Sequence, residues 1–170
     1  IEMGSISLKR NLTMMKRVAL LLLLTLPSLA TAQEFSAPED ISFRKDNIMS
    51  EGVRLGAEIF SLKANAEKKL PTIVMCHGWG GTAKALRSDA AVFARAGYLV
   101  VTFDYRGWGA SDGRIIRAGE KKKDSSRAEV KEIREVIDPI EQTTDLLNVI
   151  HWVQEEKQCD RERIGLWGSS

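Results

Sequence analysis

Three short, nearly unbroken apolar runs, at residues 72–76, 98–103 and 164–167, each empty into a turn of small residues. Runs without a period-two alternation are the mark of strands covered on both faces. The first run leads into His77-Gly78-Trp79-Gly80-Gly81. The second leads into Asp104-Tyr105-Arg106-Gly107-Trp108-Gly109-Ala110-Ser111-Asp112-Gly113, and the third into Gly168-Ser169-Ser170. Helical spacing separates them. Leu86, Ala90 and Phe93 share one helix face, with Gly97 placed to end it. Before the third run, Asp138 is an N-cap, Pro139 fits the first helical position and Glu141 completes a capping box, after which Leu146, Val149, Ile150 and Val153 mark the apolar face. Strands alternating with helices build a mostly parallel sheet whose ligand site lies at the carboxyl ends of the strands. The three turns are therefore expected to gather along one edge.

Upstream, Ile41 and Phe43, then Val53, Leu55, Ala57 and Ile59, alternate with polar or small residues around Ser50-Glu51-Gly52, which predicts an antiparallel hairpin with one buried face. Residues 114–137 are charged and irregular, with the run Lys121-Lys122-Lys123 read as solvated surface, and their latter part, with Val130, Ile133, Val136 and Ile137, fits a helix or an extended edge. The front reads as a targeting segment. Lys16 and Arg17 precede an apolar run to Leu26, then Pro27 and Ala30-Thr31-Ala32, a secretory signal over residues 15–32 cleaved before Gln33. Residues 1–14 have no such logic and are expected to lie upstream of the true start. Residues 33–170 then form the amino-terminal part of one domain. Of the 25 basic and 23 acidic residues, four and one lie in residues 1–32, leaving 21 against 22. That near-neutral remainder offers no basic face for nucleic acid, and no stable membrane span is expected once the signal is removed.

A serine on a sharp turn leaving a buried strand is half of a nucleophile elbow, Gly-x-Ser-x-Gly, with Gly168 first and Ser170 third. Taken with the turns at 77–81 and 104–113, it makes residues 41–170 resemble the amino-terminal half of an alpha/beta-hydrolase-fold serine hydrolase. The wording is most similar to the dienelactone-hydrolase-like, serine-aminopeptidase-like and Xaa-Pro-dipeptidyl-peptidase-like branches. The resemblance implies an α/β fold, a mostly parallel sheet with an antiparallel amino-terminal hairpin, truncated at the elbow. It implies Ser170 as nucleophile toward a small-molecule ester or peptide substrate, the Trp79 backbone N–H as one oxyanion donor, and no cofactor or metal. The triad acid and histidine would follow Ser170, so His77 and His151 are expected to be structural or superficial. Asp104, Arg106, Ser111 and Asp112 are read as loop-fixing, and the chain as given is expected to be inactive.

Two rival readings share these residues. Gly78-x-Gly80-x-x-Ala83, with Asp104 ending the next strand, spells a dinucleotide fingerprint, opposed by the export signal, the hairpin, His77 and the second glycine-rich loop. A hydrolase fold without the later histidine would serve only for binding. Cys76 and Cys159, which would meet an oxidising compartment, fall at opposite ends of parallel strands on the order of 15 Å apart, beyond the ~7 Å a disulfide spans, and are expected not to pair.

Overall fold

A computed structural model describes residues 35–120 and 127–168. The signal segment, the lysine run, Ser169 and Ser170 lie outside the described residues. Strands β1 (Ile41–Ser50) and β2 (Val53–Leu62) pair antiparallel from Ser50 against Val53 to Ile41 against Leu62. Their two-residue turn places Glu51 and Gly52 at φ of 48° and 82°, the left-handed values that match the twist of the paired strands. Strand β1 does not keep the single buried face expected of it: Ile41 and Phe43 turn inward on one face, Ile48 and Ser50 on the other. Strand β2 does not alternate at all: nearly all of it is buried, because β4 (Leu99–Phe103) takes its other edge and both of its faces are covered.

Strand β3 (Leu70–Cys76) runs parallel to β4 on one side and to β7 (Cys159–Gly168) on the other, so the sheet is ordered β1-β2-β4-β3-β7. The parallel strands β4, β3 and β7 and the antiparallel hairpin are the two halves expected of this α/β chain. Helix α1 (Arg87–Arg95), entered through a 3-10 turn at Ala83–Leu86 and followed by Gly97 at φ 96°, lies on one face. Its contact residues are Ala90, Ala91 and Ala94, all buried, while Phe93 is only half-buried; the small residues let the helix approach closely. Helix α2 (Pro139–Gln154) covers the opposite face. There Val149 and Val153, both fully buried, join Leu55, Ala57, Ile59, Val101 and Phe103 in one core, each valine contributing about 1.5–3 kcal/mol.

Asp138 caps α2 by accepting from the N–H groups of Ile140 and Glu141. The expected capping box is not closed: Glu141 turns to Arg114 at 2.7 Å instead. That arginine begins β5 (Arg114–Arg117), which pairs antiparallel with β6 (Val130–Ile133) as a two-stranded ribbon separate from the main sheet. The latter part of the charged segment is thus extended at Val130–Ile133 and not helical.

Strand β7 corrects another expectation. It is longer than residues 164–167 and mostly exposed, with Leu166 58% accessible, since among the described residues it has β3 on one side and no strand on the other. Cys159 stands opposite Leu70, six residues before Cys76, or about 20 Å away at ~3.3 Å per residue. Both cysteines are free.

Candidate active site

The ends of the parallel strands are in line: Cys76 is level with Phe103 on one side and with Gly168 on the other. The turns after β3 and β4 accordingly leave from one edge of the sheet, the edge at which β7 ends on Gly168. Ser170 itself falls outside the described residues.

The turn after β3 is locked by His77, which is 7% exposed. Its Nε2 faces the Tyr105 N–H at 3.4 Å and its Nδ1 faces the Gly78 carbonyl at 2.9 Å. The backbone N–H of Tyr105 can only donate, so Nε2 accepts and Nδ1 carries the proton given to Gly78. Gly81 N–H donates to the same carbonyl at 3.0 Å. A Cβ at Gly81 would stand 3.1 Å from the Gly78 oxygen, closer than ordinary contact, so glycine lets this turn close without pushing the carbonyl aside. In a trans peptide the N–H points away from the C=O; holding the Gly78 oxygen inward turns the Trp79 N–H outward. The Trp79 side chain is 83% exposed.

The turn after β4 is held by Asp104, whose Oδ1 accepts from Ala83 N–H at 2.7 Å and whose Oδ2 accepts from Ala110 N–H at 2.8 Å. Ser111 Oγ accepts from Gly56 N–H and donates to the Asp104 carbonyl. Arg54 forks onto Asp112 at 3.1 and 2.5 Å. A Cβ at Gly109 would overlap the Asp104 carboxylate. All of these are loop-fixing contacts, as read from the sequence. They also count against the dinucleotide fingerprint, since Asp104 is buried and turned into its own loop by the Ala83 and Ala110 N–H groups, out of reach of a ribose.

Arg106 leads to a residue that sequence reasoning missed. It forks onto Asp145 of α2 from Nε at 3.0 Å and Nη2 at 2.7 Å, and its own N–H adds 2.9 Å. Asp145 is fully buried and also accepts from Ser50 Oγ at 2.7 Å. Hydrogen bonding to Asp145 is the main cause of the raised Arg106 pKa. A signal existed: Asp145 sits one turn before Val149 and Val153 on the apolar stripe, where an acid needs a buried partner.

No second nucleophile is ready among these turns. Burial pushes the Cys76 thiol up, only partly countered by a hydrogen bond from Tyr105, so at neutral pH it is a thiol and not a thiolate. Burial and that same bond raise the Tyr105 phenol. His151 is exposed on α2, and His77 has both ring nitrogens engaged. Among the described residues no cluster could hold a metal ion, and no helix is long and apolar enough to cross a membrane. A cavity of about 460 Å³ lies between the hairpin and the residues Thr82, Lys84, Arg87, Asp104 and Ala110; Trp79 is not part of its wall.

The family model for X-Pro dipeptidyl-peptidase (S15 family) matches residues 51–170. The chain belongs to this alpha/beta-hydrolase family. A 31.7 kDa Escherichia coli protein from the traX-finO intergenic region is 34% identical over 126 residues, covering 74% of this chain and 36% of that protein. Thiohydrolase aneE of Aspergillus aculeatus is 28% identical over 121 residues, covering 71% and 31%. Among solved structures, the alpha/beta hydrolase GrgF from Penicillium superposes with a TM-score of 0.55 at 25% identity, covering 75% of this chain and 37% of that one. The chain thus spans about a third of the length of the curated relatives it matches. The turns at 77–81 and 104–113 and the Gly168-Ser169-Ser170 run all fall within the family match.

Proposed function

We propose that the protein to which this chain belongs is an exported serine hydrolase that cleaves an ester or a peptide/amide bond through an acyl-enzyme. Ser170 would attack the carbonyl carbon and pass its proton to a base. The carbonyl oxygen would take up the negative charge, the leaving group would depart with a proton, and water would then release the acid. The observation that supports this reading is the level placement of Gly168 beside Cys76: β7 ends at the sheet edge from which the turn carrying Trp79 leaves. The Trp79 N–H donates to no described residue and is turned outward by the two hydrogen bonds that the Gly78 carbonyl accepts from His77 and Gly81, as an oxyanion donor must be. Family membership and the thiohydrolase relative favour attack at an acyl carbon. The acid and the histidine are assigned to residues after Ser170, in the fold's usual chain order. Export with cleavage before Gln33 completes the reading.

In the full-length protein an organophosphonate should label Ser170, and Ser170→Ala should abolish both labelling and hydrolysis. Trp79→Pro, which deletes the donor, should lower kcat on the order of 100-fold, whereas Trp79→Ala should mainly change substrate preference. Labelling that survives Ser170→Ala, or equal losses from the two Trp79 variants, would refute the assignment.

A further inference from the structure

We propose that Asp145, from the middle of α2, is a positioning residue for the oxyanion donor, acting at a distance through the backbone of the turn after β4. The inference rests on Trp79 N–H being that donor.

The contacts form an unbroken series. The Asp145 carboxylate receives four donors: Ser50 Oγ–H, the Arg106 backbone N–H, and Nε–H and Nη2–H of the Arg106 guanidinium. A carboxylate bonded to both the side chain and the main chain of one residue fixes that residue's position as well as its charge. The residue before Arg106 is Tyr105, whose own N–H, one peptide earlier, donates to His77 Nε2 at 3.4 Å. The Tyr105 ring meets the imidazole edge-on at 5.1 Å and Phe103 at 4.9 Å. His77 in turn holds the Gly78 carbonyl, whose peptide carries the Trp79 N–H. A shift of the backbone at 105–106 therefore reaches the imidazole directly. Oxyanion donors act only within a few tenths of an ångström of the right place, and misplacement by about 1 Å costs on the order of 100-fold.

Every group facing Asp145 is a donor, which makes the site selective for a carboxylate. Asparagine offers one acceptor oxygen and an amide that is itself a donor. In Asp145→Asn the amide must oppose either the Arg106 backbone N–H or the guanidinium, so one part of the clamp is lost while volume is kept.

The test uses full-length protein, with kcat expressed per Ser170 titrated by an organophosphonate. Asp145→Asn should lower kcat about 10-fold, keep KM within twofold, and weaken a boronic acid transition-state analogue by the same factor as kcat. A purely structural role predicts fewer titratable sites or a lower Tm with normal kcat and analogue affinity at the sites that remain, and that result would overturn the proposal. If Asp145→Asn does not fold, Ser50→Ala removes one neutral donor from the same carboxylate, together with the oxygen that accepts from Arg106 Nη2 and Asn148 Nδ2, and leaves the Arg106–Asp145 ion pair itself in place. An approximately threefold fall in kcat at constant KM is then expected, and an unchanged kcat would overturn the proposal. Failure of the underlying reading looks different: the unmutated protein itself would show no Ser170 labelling and no serine-dependent turnover.

Discussion

In the middle of β4 the Thr102 hydroxyl is buried and, among the described residues, has no hydrogen-bond partner. An unpaired buried hydroxyl costs about 1–3 kcal/mol, and valine replaces it with a methyl group of similar shape. Thr102→Val is expected to stabilise the protein by about 1 kcal/mol, read as a higher urea midpoint at unchanged m-value; a lower midpoint would show that the hydroxyl has a partner. Its neighbour Asp104 is the opposite case, with both carboxylate oxygens used. This difference was only partly legible in the sequence. Asp104 sits where a strand meets a glycine-rich turn, a place where carboxylates fix loops. Thr102 reads as one more β-branched strand residue, because nothing local reports whether a neighbouring strand supplies a partner. The Arg106–Asp145 pair joins residues 39 apart in sequence, and only the position of Asp145 on the helix stripe hinted at it.

At the level of elements, the strands of the main sheet were legible because apolar runs and alternation report burial directly. The ribbon was not. Its residues are mostly exposed on both strands, so it has no buried face to impose a period. What holds it is polar: Glu132 accepts from the Gly113 N–H at 2.6 Å and pairs with Arg134, which also reaches the Ser111 carbonyl. The Gly113 N–H, and then Arg134, lower the Glu132 pKa below its ordinary 4.5. A depressed acid pKa stabilises the folded joint above the unfolded value, and that stabilisation is lost as pH falls through the folded value. Exchange of the Gly113 amide, corrected for intrinsic rates, should therefore accelerate as pH drops below about 4.5. Glu132→Gln should remove that dependence, and an acid response that persists in this variant would assign it to another group.

For the molecule as a whole, the order hairpin, strand, helix, strand, helix, strand was readable, as was the gathering of turns at one edge. The exposure of β7 was harder to read, since two-sided cover depends on what lies beyond a strand and not on its own residues. Asp104 has a consequence at this scale. The amides of Ala83 and Ala110 lie 27 residues apart yet close on one carboxylate, so neither turn can come loose without freeing an acceptor the other depends on. The two should behave as a single foldon, opening together. Native-state hydrogen exchange under increasing urea should bring the Ala83 and Ala110 amides onto a common opening free energy. Asp104→Asn, with one acceptor oxygen for two donors, should uncouple them; isotherms that already differ in the unmutated protein would mean that the two turns open independently.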